Sequence, residues 1–283
     1  MPARTLIATV ALAAFQAQAL EPVEIRSLAL DAQGAPTVLR GFFAPAPDSA
    51  SSVRPAPAVL LLHGCGGAYA RDGALDPRLP AVAALAREEG YAAMVLDSFS
   101  SRSVREICTQ PFSARRVDTT LRRQDVWGAL GWLAARADVD AARLVLIGFS
   151  HGGSTVLSTI GRAPPEGAAR VAAAIAFYPG CRGYLQRKPP FEPRARLLVL
   201  IGDEDDWTPA ERCAELLSEL RSRGREFELL RFPGAHHGFD SENPVRVREG
   251  IPNSPSGRVH TGGHPPSRAQ ALGRVRALLR ELR

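Results

Sequence analysis

The chain has 283 residues, 45% hydrophobic and 23% charged, with 25 Gly, 23 Pro and four Cys, a balance that excludes a disordered segment, a collagen-like repeat and a small disulfide scaffold. Cationic side chains number 35 against 29 acidic ones, for a formal charge of +6, and Lys188 is the sole lysine. The arginines are scattered, with no long like-charge block and no basic stripe interleaved with aromatics, so no nucleic-acid partner is expected.

The first residues carry one cation, Arg4, then an apolar run over 6–15, then Ala17-Gln18-Ala19. That is the pattern of a secretory signal peptide, residues 1–19, cut before Leu20. The run is too short to cross a bilayer, and no later stretch is apolar enough to do so. Residues 20–283 are therefore expected as one periplasmic or secreted domain with no membrane insertion after cleavage. Strands are predicted over 24–30 and 37–43, an antiparallel hairpin about Gln33-Gly34, followed by the Pro/Ser-rich loop PAPDSASSVRPAP. AVLLLHG, over 58–64, is a continuous apolar run of the kind buried on both faces. A helix over 80–89, a strand over 91–99 and an amphipathic helix over 119–137 come next, the last with Val126, Leu130 and Leu133 on one face.

A strand over 143–150 leads into a helix over 152–160. Further strands start at Val171 and Arg196, a helix covers 209–221, the last strand covers 226–232, and a helix over 267–282 closes the chain. This alternation predicts an α/β protein with a mostly parallel central sheet and helices on both faces. Residues 242–266 form the longest non-periodic segment, a loop expected to be functional or mobile. The four cysteines, Cys65, Cys108, Cys181 and Cys213, all follow the signal segment and are compatible with two disulfides in an oxidising compartment. They contain no C-x-x-C, so neither a zinc site nor a redox pair is expected.

Gly148-Phe149-Ser150-His151-Gly152 is a G-x-S-x-G at the end of a predicted buried strand and the start of a predicted helix. That context is what a nucleophile elbow requires. Glycines are needed at so tight a turn, and the helix N-terminus behind the serine offers free N–H groups to developing negative charge. A serine hydroxyl needs a base to take its proton and a third group to orient the base. An acidic cluster, Asp203-Glu204-Asp205-Asp206, follows the strand ending at Ile201, and His236-His237 follow the last strand. The order Ser, acid, His is that of α/β-hydrolases, and all three segments fall at the carboxyl edge of the sheet.

HGCGG, DSFSSR, GFSHGG, YPGC, GDEDDWTP and AHHGF together resemble the dienelactone hydrolase family of α/β-hydrolases, over about residues 58–239. The resemblance implies the α/β-hydrolase fold and selects Asp205 as the acid and His237 as the base. Founding members of that family carry Cys in the elbow, where this chain has Ser150, which suits ordinary ester hydrolysis. For the oxyanion, the backbone N–H of His151 and one from the loop after the third strand, at Cys65, are expected. In that fold the third and fourth strands are neighbours, as are the sixth and seventh, which implies the pairings Cys65–Cys108 and Cys181–Cys213.

Arg102 and Arg105 follow the fourth strand on the same edge and are expected to meet a substrate carboxylate. His151 and His63 are expected to have structural roles. His260 and His264 have i, i+4 spacing but lie in the Gly/Pro-rich segment, and no metal or cofactor is expected. The functional expectation is a serine hydrolase cleaving small-molecule carboxylic esters through an acyl-enzyme. The alternatives are a prolyl-oligopeptidase-like peptidase or amidase, or a non-catalytic periplasmic binding protein. Oligomeric state is not readable from the sequence.

Overall fold

Five runs of aliphatic side chains with few interrupting charges assemble into the centre of one eight-stranded sheet. In a computed structural model that describes residues 19–47, 55–225, 227–254 and 256–283, these are β3 (Ala56–Leu62), β4 (Ala92–Asp97), β5 (Val139–Phe149), β6 (Val171–Phe177) and β7 (Arg196–Gly202). Every residue of β3 and β4 is buried, as expected of strands covered on both faces. The expected signal peptide lies outside the described residues as far as Gln18.

The sheet order is β1-β2-β4-β3-β5-β6-β7-β8, with β1 (Glu21–Leu30), β2 (Pro36–Ala44) and β8 (Glu228–Phe232) completing it. β1 pairs antiparallel with β2 and β2 antiparallel with β4, while all other pairings are parallel. In β1 the buried positions Ile25, Ser27 and Ala29 alternate with exposed ones, the period of a strand with one face in water. Five helices flank the sheet: α1 (Arg78–Glu88), α2 (Thr119–Ala134), α3 (His151–Ile160), α4 (Ala210–Ser222) and α5 (Pro265–Glu281). α2 packs against α3, and α1 against α5. Asp118 caps α2 by accepting from the N–H groups of Thr120 and Leu121 at 2.9 and 2.8 Å, which fixes the helix start one turn before Arg122. This is the α/β-hydrolase architecture.

The structure corrects one expectation. The 242–266 segment is not a loop throughout but carries a second sheet, the hairpin β9 (Arg246–Glu249) with β10 (Arg258–Thr261). Its strands have four residues each and lack a run of apolar positions, so neither length nor period marks them in the sequence. β10 is joined to the main body by a parallel bridge between Thr261 and His237 and by the Gly262 N–H donating to the His237 carbonyl at 3.1 Å.

The disulfides join Cys65 to Cys108 and Cys181 to Cys213, with Cα–Cα distances of 5.0 Å in both. Each ties together loops that leave the carboxyl edge of the sheet or the helix that follows.

Candidate active site

Ser150 sits between β5 and α3 with φ 54° and ψ −113°, a backbone conformation that costs a non-glycine residue about 1–3 kcal/mol and persists only where the surroundings impose it. The surroundings do so by close backbone approach. A Cβ at Gly148 would lie 2.3 Å from the Gly152 carbonyl oxygen, and one at Gly152 would lie 2.2 Å from that of Leu62. The Ser150 N–H donates to the Phe177 carbonyl at 2.9 Å, and the Ser154 N–H donates back to the Ser150 carbonyl at 2.8 Å. The N–H groups of His151 to Gly153 are the ones that the first turn of a helix leaves open. Gly64, in the loop after β3, places its Cα so close that an added Cβ would lie 3.6 Å from the Ser150 Cβ, so the Cys65 loop runs beside the serine.

The side of the elbow toward β7 and β8 supplies a carboxylate-bound imidazole. His237 Nε2 accepts from the Ser150 hydroxyl at 2.9 Å, and His237 Nδ1 donates to Asp205 Oδ2 at 2.8 Å. Asp205 is buried, and its other oxygen accepts the N–H groups of Trp207 and Thr208 at 3.0 and 2.7 Å. Thr208 Oγ1 lies 2.9 Å from Asp205 Oδ2 and 3.2 Å from His237 Nδ1. The imidazole is held between two rings, Tyr178 at 4.6 Å and Trp207 at 4.8 Å. Tyr178 in turn donates to Asp240 at 2.6 Å and accepts from Arg78 at 3.2 Å, which locks the chain just beyond the histidine.

The neighbouring acids have other partners. Asp203 is paired with Arg231, and Asp206 accepts from the backbone N–H and Nδ1 of His260 at 2.9 and 2.8 Å. His236 is turned away from the serine, with Nδ1 on the Glu204 carbonyl at 2.9 Å and its ring stacked on His260.

On the side toward β3 the imidazoles meet a guanidinium instead. Arg122 is fully buried; its Nη1 donates to His151 Nδ1 and its Nη2 to the His63 carbonyl, both at 2.9 Å, while its Nε has no partner. Arginine only donates, so His151 Nδ1 is an acceptor and its proton resides on Nε2. His63 donates from Nδ1 to the Gly64 carbonyl at 2.8 Å and accepts the Ser98 N–H on Nε2 at 3.2 Å. Burial first, and then the charge of Arg122, hold both imidazoles well below the usual histidine pKa, and burial brings Arg122 itself down to about 10.

Tyr178, Trp207 and Thr208 lie within the YPGC and GDEDDWTP motifs, but the motifs alone do not show their contacts with His237 and Asp205, and Arg122 lies in no motif. The one available signal for Arg122 was positional, since it falls on the same helical face as Val126, Leu130 and Leu133, where a charge is costly.

Arg102 donates from Nη2 and Nη1 to the two oxygens of the buried Asp125 at 2.7 and 3.0 Å, and from Nη1 to the Ser98 carbonyl at 2.7 Å. Ser27 adds a 2.6 Å hydrogen bond to the same carboxylate. Arg102 thus fastens the turn after β4 to α2 and β1. Arg105 is exposed, on the wall of a groove it shares with Tyr69, Phe99 and Val104. His260 and His264 have separate partners, Asp206 and Ser267, and among the described residues no group of three or more potential ligands converges on a metal position.

A Bradyrhizobium protein named "Probable 2-oxo-3-(5-oxofuran-2-ylidene)propanoate lactonase" is 28% identical over 217 residues, 70% of this chain and 81% of that one. The structure of P91, a dienelactone hydrolase-like promiscuous phosphotriesterase from metagenomic libraries, superposes with a TM-score of 0.65 at 20% identity, covering 93% of this chain and 99% of the other. The propionate-bound esterase Est2 of Thermogutta terrifontis gives 0.59 at 19% identity, covering 92% and 94%. At such identities the solved structures share the fold. The sequence pattern of the dienelactone hydrolase family matches residues 43–261, and the chain belongs to that family of hydrolases.

Proposed function

We propose that this protein is an exported serine hydrolase that cleaves carboxylic esters through an acyl-enzyme. The observation that carries this reading is the continuous hydrogen-bonded chain from Ser150 Oγ to His237 Nε2 and from His237 Nδ1 to Asp205 Oδ2, at 2.9 and 2.8 Å. In the first half-reaction Ser150 Oγ attacks the ester carbonyl while its proton passes to His237 Nε2. Asp205 holds the ring in the Nδ1–H tautomer and offsets the charge of the imidazolium that forms. The tetrahedral oxyanion is stabilised by the backbone N–H groups of His151 and Cys65. Collapse expels the alkoxide, which takes the proton from His237. In the second half-reaction a water gives its proton to the same nitrogen and attacks the acyl group, releasing the acid and restoring Ser150.

Export is supported by the signal pattern in residues 1–19 and by the two disulfides, which persist in oxidising compartments. Among the described residues no helix is long and apolar enough to cross a membrane. Reaction with a fluorophosphonate probe tests the reading. Wild type is expected to be labelled on Ser150 with stoichiometric loss of esterase activity, and Ser150→Ala to remain unlabelled. Turnover of activated esters by Ser150→Ala at the wild-type rate overturns it.

A further inference from the structure

The hairpin that the sequence did not reveal brings an arginine to the rim of the same cleft. The Arg248 guanidinium carbon lies 5.3 Å from the centre of the Trp207 ring, whose other neighbour is His237 at 4.8 Å, and Arg248 Nη1 lies 4.0 Å from the sulfur of Cys108. Cys108 is bonded to Cys65, so Arg248 spans the rim from the disulfide beside the serine to the indole beside the base. One indole ring separates it from the imidazole.

Arg248 is not alone there. A groove of about 430 Å³ is lined by Arg71, Arg246, Val247, Arg248 and Glu249. Arg71 and Arg246 line the groove from its exposed side, and Arg248 meets the sulfur and the indole and faces the charge of Glu106. The nearby carboxylates are otherwise engaged. Both oxygens of Glu106 accept from Thr109, at 3.1 and 2.6 Å. Glu249 lines the groove as well and stands opposite Arg258 in the hairpin register. Burial, and after it the like charge of Arg246, hold Arg248 below its ordinary pKa against the opposing pull of Glu106. Three guanidiniums face Glu106 and the Glu249 of the groove wall, so positive charge is in excess there and an added anion lowers the energy.

The hairpin is not free to drift from the cleft. His260 is bound through its N–H and Nδ1 to Asp206, the residue after the acid, and Thr261 and Gly262 are bound to the backbone of His237. The arginines are thus registered to the same two loops that hold the acid and the base.

We infer that Arg71, Arg246 and Arg248 bind an anionic group, a carboxylate or a phosphate, carried by the substrate on an arm that reaches past Trp207 from the scissile ester. This rests on the esterase reading and gives it a substrate class: esters with a remote negative charge, as opposed to small esters whose charge adjoins the carbonyl. Arg248 stacks on the indole and meets the anion from within the rim, and Arg71 and Arg246 close over it from the exposed side.

Two readouts test it. In the first, kcat/KM is compared for p-nitrophenyl hexanoate and for the p-nitrophenyl monoester of adipic acid, in wild type and in Arg71→Gln/Arg246→Gln. The charged ester is expected to lose about tenfold or more in the variant and the neutral one less than about twofold, with the wild-type preference shrinking as salt is raised. Equal losses on both esters, or no wild-type preference for the charged one, overturn the inference. In the second, Ser150→Ala protein is titrated with the uncleaved adipate monoester, with its phosphate-terminated analogue and with the neutral ester. Tighter binding of either anion that disappears with Arg71→Gln/Arg246→Gln supports the site and shows which anion it takes. Identical binding of charged and neutral esters sinks it. If wild type hydrolyses neither p-nitrophenyl ester, the esterase reading fails, and the titration still decides the anion site on its own.

Discussion

Toward β7 and β8, the imidazole beside Ser150 leans on a carboxylate; toward β3, two imidazoles lean on a guanidinium. His237 donates from Nδ1 to the Asp205 carboxylate at 2.8 Å, which leaves its Nε2 as the acceptor facing Ser150. His151 and His63 are in the reverse situation, buried around Arg122, where a second positive charge is opposed. The same side chain type therefore stands in two electrical settings at one elbow: beside a carboxylate on one side, and beside a guanidinium on the other. The difference teaches why a buried arginine with an unpartnered Nε is retained in the core. It fixes the His63 carbonyl, two residues before Cys65, and the ring of His151. It also leaves a buried positive charge on the β3 side of the elbow.

Breaking the carboxylate side has the largest expected effect. His237→Gln and Asp205→Asn should each lower kcat/KM by about 10⁴-fold or more with little change in folding, measured on an activated ester beside thermal melting. A loss no greater than tenfold in either places the base elsewhere.

Next come the two disulfides, which separate stability from function. Loops of 43 and 32 residues are closed, so removing either bond by paired Cys→Ser substitution should cost about 4 kcal/mol of stability by chain entropy. Denaturant melts check the magnitude. Only the Cys65–Cys108 removal should also lower kcat well below the melting range, because that bond holds the loop beside Ser150, whereas Cys181–Cys213 ties the segment after β6 to α4. Equal effects on kcat remove that distinction.

A smaller loss is expected on the guanidinium side. Arg122→Met leaves the His63 carbonyl and His151 Nδ1 without their donor, and kcat should fall about ten- to a hundredfold with KM changing less. Arg122→Lys, which keeps the charge but not the forked geometry, should recover part of it. If the methionine variant keeps wild-type kcat, Arg122 has no part in positioning the oxyanion loops.

The pH dependence of stability is the mildest test. His63 and His151 have folded pKa values below the ordinary imidazole value of 6.5, so below that pH the unfolded chain binds protons that the folded one refuses. Their stabilisation is complete above pH 6.5 and lost as pH falls from 6.5 toward the folded values, with a slope of up to about 1.4 kcal/mol per pH unit for each imidazole. Urea titrations from neutral to mildly acidic pH measure it. Stability that stays flat or rises on acidification through this window shows that these two imidazoles are not held neutral.

The sheet and the elbow are legible in the sequence because their causes are local. Continuous aliphatic runs mark strands buried on both faces, and glycines at 148 and 152 mark a turn where the carbonyls of Gly152 and Leu62 leave no room for a Cβ. The choice among three adjacent acids is not local. Asp203, Asp205 and Asp206 are alike in sequence, and only the fold sends one to Arg231, one to His237 and one to His260. Arg122 is hidden for a related reason, since a charge on an amphipathic helix reads as a solvated position until packing puts it under Phe99 and between two histidines. The β9–β10 hairpin is hidden because its arginines break the apolar alternation by which strands are recognised. Arg102, singled out for its place at the sheet edge, is engaged by Asp125 from α2, a partner 23 residues away.

The acyl-enzyme is the most direct thing to measure. Wild type mixed rapidly with p-nitrophenyl acetate should release a burst of nitrophenol equal to the enzyme concentration before the steady state. Acid quench followed by peptide mapping should find the acetyl group on Ser150 in wild type and none on that peptide in Ser150→Ala. An acetyl group trapped on another residue, or Ser150→Ala turning over p-nitrophenyl acetate at the wild-type rate, contradicts the assignment of Ser150 as nucleophile.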